Sequence, residues 1–301
     1  MVSIIVATYN GEKYLDEQLN SIAAQSYKDM EIIICDDNST DGTKKIIKDF
    51  AENHPYVFYY LSVNNQGVNK NFEEGFVKAR GEFIAISDQD DIWLPNKIEE
   101  QIKLFTNEEI VLTHSLSARF SGNVLPAKKH DYTSRLFEGN DVRKLLLRNS
   151  VSGHNIIFRK KLLDKILPIP NNIYYDWWLV QTAGCNGLIA ATNKILAYHR
   201  AHENNITIKA RTTVFQTEEE YEERKTALHL FLKLKGLSDT NKDYIENLIV
   251  QFKKLETATF SKELFHFYLK NRHILFYYKK GFLKFISQKK AALRMSYKIK
   301  E

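Results

Sequence analysis

The chain has 301 residues, 44% of them hydrophobic and 27% charged, with five prolines and twelve glycines. That composition excludes an intrinsically disordered chain, Pro-rich or Gly/Ser-rich linkers and low-complexity tracts, and it provides for one sizeable core and a smaller appended one. The formal charge of +6 is unevenly placed, because residues 261–301 hold eleven Lys/Arg against two Glu, a net of +9, which leaves −3 on the first 260. The basic excess therefore belongs to the tail.

In chain order, short β-rich apolar runs alternate with helical patterns, which predicts βα units and a largely parallel sheet. Val2 to Ala7, Glu31 to Cys35, Val57 to Ser62 and Glu82 to Ser87 read as strands. Leu15, Leu19, Ile22 and Ala23 follow helical spacing, as do Ile46, Ile47 and Phe50, then Phe72, Phe76 and Ala79. Further strands are expected at Ile110 to Leu116 and near Asn155 to Phe158, and a helix from Tyr174 through Ala183. From Thr217 onward the chain reads as helices: Thr217 and Glu220 have capping-box spacing, Gly236 is a stop, and Ile245, Leu248, Ile249, Phe252 and Leu255 mark a second amphipathic helix. A boundary near residue 210 divides an α/β domain, 1–210, from a helical, basic region, 211–301.

Cys35 and Cys185 are the only cysteines, which fits neither a disulfide framework nor a zinc site with close paired spacings; each is expected to pack as a small apolar residue. Met1 to Ala7 lacks the basic flank and length of a signal peptide, and no run approaches the ~20 apolar residues of a spanning helix. A reducing, cytoplasmic setting is expected.

Each of three strands ends in polar residues: Thr8-Tyr9-Asn10-Gly11, Asp36-Asp37-Asn38-Ser39 and Asp88-Gln89-Asp90-Asp91. Ligand crevices of open α/β sheets lie beyond the carboxyl ends of the strands, so these segments are expected to line one site. Three adjacent acids repel one another, and a divalent cation offsets that cost; oxygen ligands select Mg²⁺ or Mn²⁺. The same turn also reads as an acidic cap for the helix that begins near Pro95. Asp41 or Thr40 can cap the helix after the second strand, but capping does not require Asp36 and Asp37 as well. A carboxylate there can accept the N3–H of uracil or thymine.

Val2 to Asn10, Asp36 to Thr43 and Ser87 to Pro95, in this order and spacing, resemble the family 2 glycosyltransferases with the GT-A fold, over roughly the first 200 residues. The resemblance implies a Rossmann-like, mostly parallel sheet flanked by helices, with a C-terminal α-helical extension. It implies that Thr8 and Tyr9 flank the base and ribose of a nucleotide-sugar donor, with Asn10 beside them. Asp37 would read the base N3–H, Asp88 would touch the ribose, and Asp90 would ligate the metal. Asp176, in Tyr174-Tyr175-Asp176-Trp177-Trp178, corresponds to the catalytic base, although Tyr175 stands where the family often has Glu. Trp177 and Trp178 would form an apolar wall for a sugar ring and raise the proton affinity of Asp176, and Trp93 joins them as an acceptor contact. Tyr198-His199-Arg200-Ala201-His202 is one residue longer than the family's corresponding segment; His202, followed by Glu203-Asn204-Asn205, is the residue implied to approach the metal and diphosphate. The Asn/Gly-rich stretch Asn64 to Asn71 reads equally as an ordinary loop.

The expected reaction is a single displacement with inversion, in which Asp176 deprotonates an acceptor hydroxyl. The Ser87 to Trp93 and Tyr175 to Trp178 segments look most similar to a rhamnosyltransferase-like branch, which implies dTDP-rhamnose as donor and a surface polysaccharide or lipid-linked oligosaccharide as acceptor. UDP-linked hexoses remain open, since Asp37 does not separate thymine from uracil. In the tail, aromatic residues interleaved with cations can lie on an anionic membrane surface or pack as a basic helical hairpin with a solvated face; nucleic-acid binding is disfavoured by the absence of a reader motif. Competing functions are a nucleotidyltransferase, which needs a Gly-rich basic phosphate loop that Thr8 to Gly11 is not, a membrane-spanning processive synthase, whose Gln-x-x-Arg-Trp motif is absent, and a non-catalytic nucleotide-sugar-binding scaffold.

Overall fold

The computed structural model describes residues 1–121, 136–202, 217–279 and 281–298. The boundary expected near residue 210 and the Glu203-Asn204-Asn205 segment lie outside the described residues.

Strand β1 (Val2–Thr8) is flanked in parallel by β2 (Met30–Asp36) and β4 (Phe83–Ser87), with β3 (Val57–Leu61) parallel on the far side of β2. Helices cover both faces, which is why β1, β2 and β4 read as largely apolar runs. Successive residues still diverge. Ile4, Val6, Ile32 and Ile34 pack with α1 (Leu15–Ala23), α2 (Thr43–Glu52) and α4 (Lys97–Ile102), whereas Ile5, Ile33 and Cys35 face α3 (Val68–Lys78). The α3 helix lies so close that a Cβ on Gly75 would come within 2.2 Å of Ile5 Cγ2.

Beyond β4 the sheet becomes mixed. Strand β7 (Ile156–Arg159) runs antiparallel to β4 and to β6 (Ile110–Phe120), β8 (Leu188–Arg200) runs parallel to β6, and β5 (Ile92–Trp93) closes antiparallel to β8, for the order β3-β2-β1-β4-β7-β6-β8-β5. Strand β8 was not among the expected strands, because the polar Thr192-Asn193-Lys194, exposed at Asn193 and Lys194, interrupts its apolar pattern. Helices α5 (Leu163–Ile166) and α6 (Tyr175–Asn186) cover this half.

The C-terminal region consists of α7 (Glu218–Phe231), α8 (Asp239–Phe252), α9 (Lys262–Lys270), α10 (Arg272–Leu275) and α11 (Lys284–Met295). Thr217, Ser238 and Ser261 each accept a backbone N–H in the first turn of α7, α8 and α9, satisfying donors that a helix start leaves unpaired. Gly236 takes φ +86° between α7 and α8, as a helix stop requires. Tyr221, Phe231, Phe252, Tyr268 and Ala292 belong to the same apolar cluster as Phe72, Phe76, Trp178 and Leu179. Cys35 is buried, Cys185 half-buried, and neither is paired. Among the described residues no helix is long and apolar enough to cross a membrane.

Candidate active site

The ends of β1, β2 and β4 converge as parallel neighbours must. Thr8 Oγ1 donates to Asp36 Oδ2 at 2.9 Å, and Ser39 N–H donates to Asp36 Oδ1 at 2.9 Å, so Asp36 fastens β2 to β1. Asn10, at φ +49°, accepts the Thr40 N–H on its Oδ1 at 2.9 Å and donates its own N–H to Ser39 Oγ at 2.8 Å. Tyr9 is half-exposed. Asp37 is almost fully buried and accepts the N–H groups of Gln66 and Gly67 at 2.7 and 2.8 Å, one on each oxygen. Those bonds leave lone pairs on both oxygens, and they give the Asn/Gly-rich loop a structural role.

Gln89, between the two aspartates of interest, bridges the strand ends. Its Oε1 accepts the Tyr9 N–H at 2.9 Å and its Nε2 donates to Tyr9 O at 3.0 Å. A Cβ on Gly11 would sit 2.4 Å from Gln89 Oε1, so the contact depends on glycine. Asn69 and Asn71 are also anchors. Asn71 Nδ2 donates to Thr8 O and Cys35 O, and Asn69 Nδ2 donates to Pro170 O and Ile173 O while its Oδ1 accepts the Tyr175 N–H.

In the acidic turn the three carboxylates occupy different surroundings. Asp91 is fully buried, with Oδ1 accepting from His199 Nδ1 at 3.0 Å and Arg200 N at 3.2 Å, while its Oδ2 lies 3.7 Å from His154 Nδ1 and has no hydrogen-bond partner. Burial alone would push the Asp91 carboxyl up, but His154, His199 and the Arg200 N–H outweigh it and hold it below the usual range. In turn, the Asp91 carboxylate and the charges of Asp88 and Asp90 outweigh burial at His199, whose pKa is raised. Asp90 is pushed up to about 6 by burial and then by Asp91 and Asp88, against the pull of His202, whose Nε2 donates to Asp90 Oδ2 at 2.6 Å. Arg200 is clamped between the Tyr14 and Phe120 rings, donates from Nε to Asp90 O, and pairs with Glu17. It holds the end of β8 in place, so that His199 reaches Asp91 and His202 reaches Asp90.

The N-terminus of α6 meets the same cluster. Tyr175 packs against Phe72 with ring centroids 4.2 Å apart and tilted by 38°, and its hydroxyl lies against Gly153, where a Cβ would come within 2.1 Å. Burial and the nearby Asp88, Asp176 and Asp91 charges raise the Tyr175 hydroxyl well above its ordinary value, and that hydroxyl donates toward Asp88. The Asp176 carboxyl is pushed up to about 6, mainly by burial, with the Asp88 charge adding to it and the Trp177 N–H, Asn149 amide and Gly153 N–H opposing. Asp88 thus lies between the turn and the helix, with His154 Nδ1 3.7 Å from its Oδ2.

Two of the three tryptophans are buried in the core. Trp93 is 2% exposed beneath Lys97, Trp178 is buried with Nε1 donating to Ile166 O, and Trp177 donates to Leu145 O and packs edge-on against Phe231. Burial takes Trp93 and Trp178 out of the acceptor wall expected of Trp93, Trp177 and Trp178, because their rings have apolar surface to bury, while Trp177 stays half-buried next to Asp176.

The donor set suits a divalent cation: a carboxylate and an imidazole nitrogen in contact at Asp90 and His202, with the charges of Asp91 and Asp88 adding to the burial that raises the Asp90 carboxyl. Asp91, His154 and His199 form a second group whose ligand atoms lie within 4.8 Å of one another. The His154 and His199 rings are stacked 4.7 Å apart and 2° from parallel, so their in-plane lone pairs do not converge on one ion. Sequence reasoning missed His154, Gln89 and the Tyr175 contact with Asp88. Its one available signal for the first was Gly153-His154-Asn155 at the start of an expected strand.

The Glycosyl transferase family 2 profile matches residues 3–167. An uncharacterised glycosyltransferase of Nostoc is 28% identical over 228 residues, covering 72% of this chain and 70% of that protein. The GalNAc(5)-diNAcBac-PP-undecaprenol beta-1,3-glucosyltransferase of Campylobacter jejuni is 34% identical over 164 residues, 49% of this chain and 53% of that one. Among solved structures, S. aureus TarS 1-349 in complex with UDP-GlcNAc matches with TM-score 0.65 at 19% identity, covering 97% of this chain and 89% of the other. The mannosyltransferase PcManGT from Pyrobaculum calidifontis in complex with GDP-Man and Mn²⁺ matches with TM-score 0.61 at 15% identity, covering 82% and 68%. At those identities the two structures bear on the fold, which is GT-A.

Proposed function

Because the chain belongs to glycosyl transferase family 2 and is a glycosyltransferase, we propose that it transfers a sugar with inversion, from a UDP- or dTDP-linked donor to a hydroxyl of a glycan or lipid-linked oligosaccharide. The observation that carries this reading is Asp176: a carboxyl held near neutrality by burial, at a helix start, facing the cluster that contains Asp88 and Asp90. A general base works best with a pKa close to the operating pH.

Asp176 takes the proton of the acceptor hydroxyl as that oxygen attacks the anomeric carbon. Tyr175, at the same helix start, places its hydroxyl toward Asp88 beside it. Thr8, Tyr9, Asn10 and Asp37 form the nucleoside side of the site, with Asp37 offering its remaining lone pairs to the base N3–H. Asp90 and His202 would hold a divalent cation with Asp88 alongside, and such an ion would neutralise the diphosphate that departs. One base and no protein nucleophile give inversion.

The donor reading rests on Asp37, which suits uracil and thymine alike. A UDP-hexose is supported by the UDP-GlcNAc complex of TarS and by the glucosyltransferase relative; dTDP-rhamnose is supported by the Ser87 to Trp93 segment. The undecaprenol-linked substrate in the name of the Campylobacter relative supports a lipid-linked acceptor, and with it work in bacterial surface-polysaccharide synthesis on the cytoplasmic face of the membrane. A non-catalytic scaffold would have no use for two carboxyls poised near 6.

The test is Asp176→Asn. Turnover is expected to fall by about 10² or more while calorimetric donor affinity stays near normal; turnover within a few-fold of the native enzyme would remove Asp176 from the role.

A further inference from the structure

The face made by the turn at Gly281 and by the outer side of α11 is not finished as a protein surface. Phe282 is 104% exposed, Leu283 61%, Phe285 56% and Ile286 47%, four large apolar side chains within five positions. Gly281, at φ +97° with nothing near its Cβ position, turns the chain outward there. The inner side of α11 buries Gln288, Ala291, Ala292 and Met295, so its register is fixed, and Leu293, Lys289 and Lys290 are left facing out.

The cations of this face lie close together and, among the described residues, without acidic partners. Lys225 pairs with Glu256 and Lys298 with Glu218, whereas Lys284, Lys289, Lys290 and Arg294 pair with no carboxylate among the described residues. Arg148 and Lys279 both lie over the Tyr278 ring, at 5.3 and 5.2 Å, and burial together with the Arg294 and Arg148 charges holds Lys279 below its usual range. Cations crowded without counter-ions around an exposed apolar tip suit a partner that is anionic at its surface and apolar beneath.

We infer that this face docks on an anionic phospholipid bilayer, with Phe282 and Leu283 inserted among the headgroups and Lys284, Lys289, Lys290 and Arg294 at the level of the phosphates. A second copy of the chain would set these cations against themselves, which disfavours self-association through the same face. Arg148 adjoins Asn149, whose amide faces Asp176, so the cationic patch continues to the segment beside the proposed base. The inference deepens the reading of a lipid-linked acceptor and rests on it for its purpose, though not for its physical grounds.

The experiment is co-flotation of the full chain with vesicles of phosphatidylcholine alone and of phosphatidylcholine mixed with phosphatidylglycerol, at low and high salt. Binding is expected only to the mixed vesicles and weaker at high salt. The exposed pairs Phe282→Ser/Leu283→Ser and Lys289→Glu/Lys290→Glu are each expected to weaken it by about tenfold or more, since a well-placed lysine contributes about fivefold. Thermal shift by UDP-sugars should be the same in both variants as in the native chain. No binding to anionic vesicles, or binding that neither variant weakens, overturns the proposal, as does a light-scattering dimer that Phe282→Ser/Leu283→Ser converts to monomer. Vesicle binding without any UDP- or dTDP-sugar shift would instead refute the donor reading and leave the docking face standing.

Discussion

Asp90 and Asp176 both have carboxyls pushed up to about 6, each with the Asp88 charge among its causes, and they arrive there differently. At Asp90, burial is joined by the charges of two neighbours in the same turn, Asp91 and Asp88, and opposed by His202. At Asp176 burial dominates, Asp88 is the one acid among its main causes, and backbone and amide donors oppose it. Like-charge crowding is relieved by a cation, whereas desolvation is relieved by a proton. The difference suits the acidic turn to sharing charge with an ion and the helix start to taking a proton from a hydroxyl.

The widest separation is expected between two isosteric variants. Asp90→Asn should abolish the metal dependence of donor binding in calorimetry, while Asp176→Asn should keep it and lose about 10² or more in turnover. Equal metal dependence in Asp90→Asn and native protein would break the comparison. A smaller effect is expected from pH: a base must be ionised, so turnover with saturating donor should drop about tenfold per unit as pH falls below about 6. A profile flat from pH 7 to 5 would show that Asp176 does not set the acid limb.

The smallest effect is on stability. Because folding raises the pKa of Asp176, its proton-linked contribution is complete below the unfolded value near 3.8 and is lost as pH rises through about 6. Near neutrality the ionised, buried carboxylate therefore costs stability, and Asp176→Asn should gain roughly 1 to 3 kcal/mol, seen as a Tm a few degrees higher at pH 7.5 and unchanged at pH 4. A Tm lower at both pH values would mean that the carboxylate contributes hydrogen bonds the amide cannot replace.

Much of the fold was legible, because β1, β2 and β4 are buried runs punctuated by polar ends and the helices between the first four strands have plain 3.6-residue spacing. The convergence of Thr8 to Asn10, Asp36 to Asn38 and Asp88 to Asp91 follows from parallel pairing and was legible with it. The second half of the sheet was not, since β7 enters between β4 and β6 through pairings distant in sequence, and the polar Thr192-Asn193-Lys194 in the middle of β8 breaks its apolar pattern. Within the site, His154 and Gln89 act through contacts 37 residues or more away in sequence, to Ser117 and to Tyr9, and no local pattern encodes those. Nor does a pair of adjacent tryptophans announce that both indoles will find carbonyl partners in the core.

Trp177 follows the proposed base directly, and its ring rests on Phe231 of α7. The orientation of the first turn of α6 is thus partly set by residues some fifty positions downstream, on helices that share the core of the sheet. For protein engineering this means that the sugar-nucleotide half is not a free cassette. A chimera that joins it to a relative's helices has to carry α6 and α7 as one block, or rebuild the Trp177–Phe231 seat, before its altered specificity can be read.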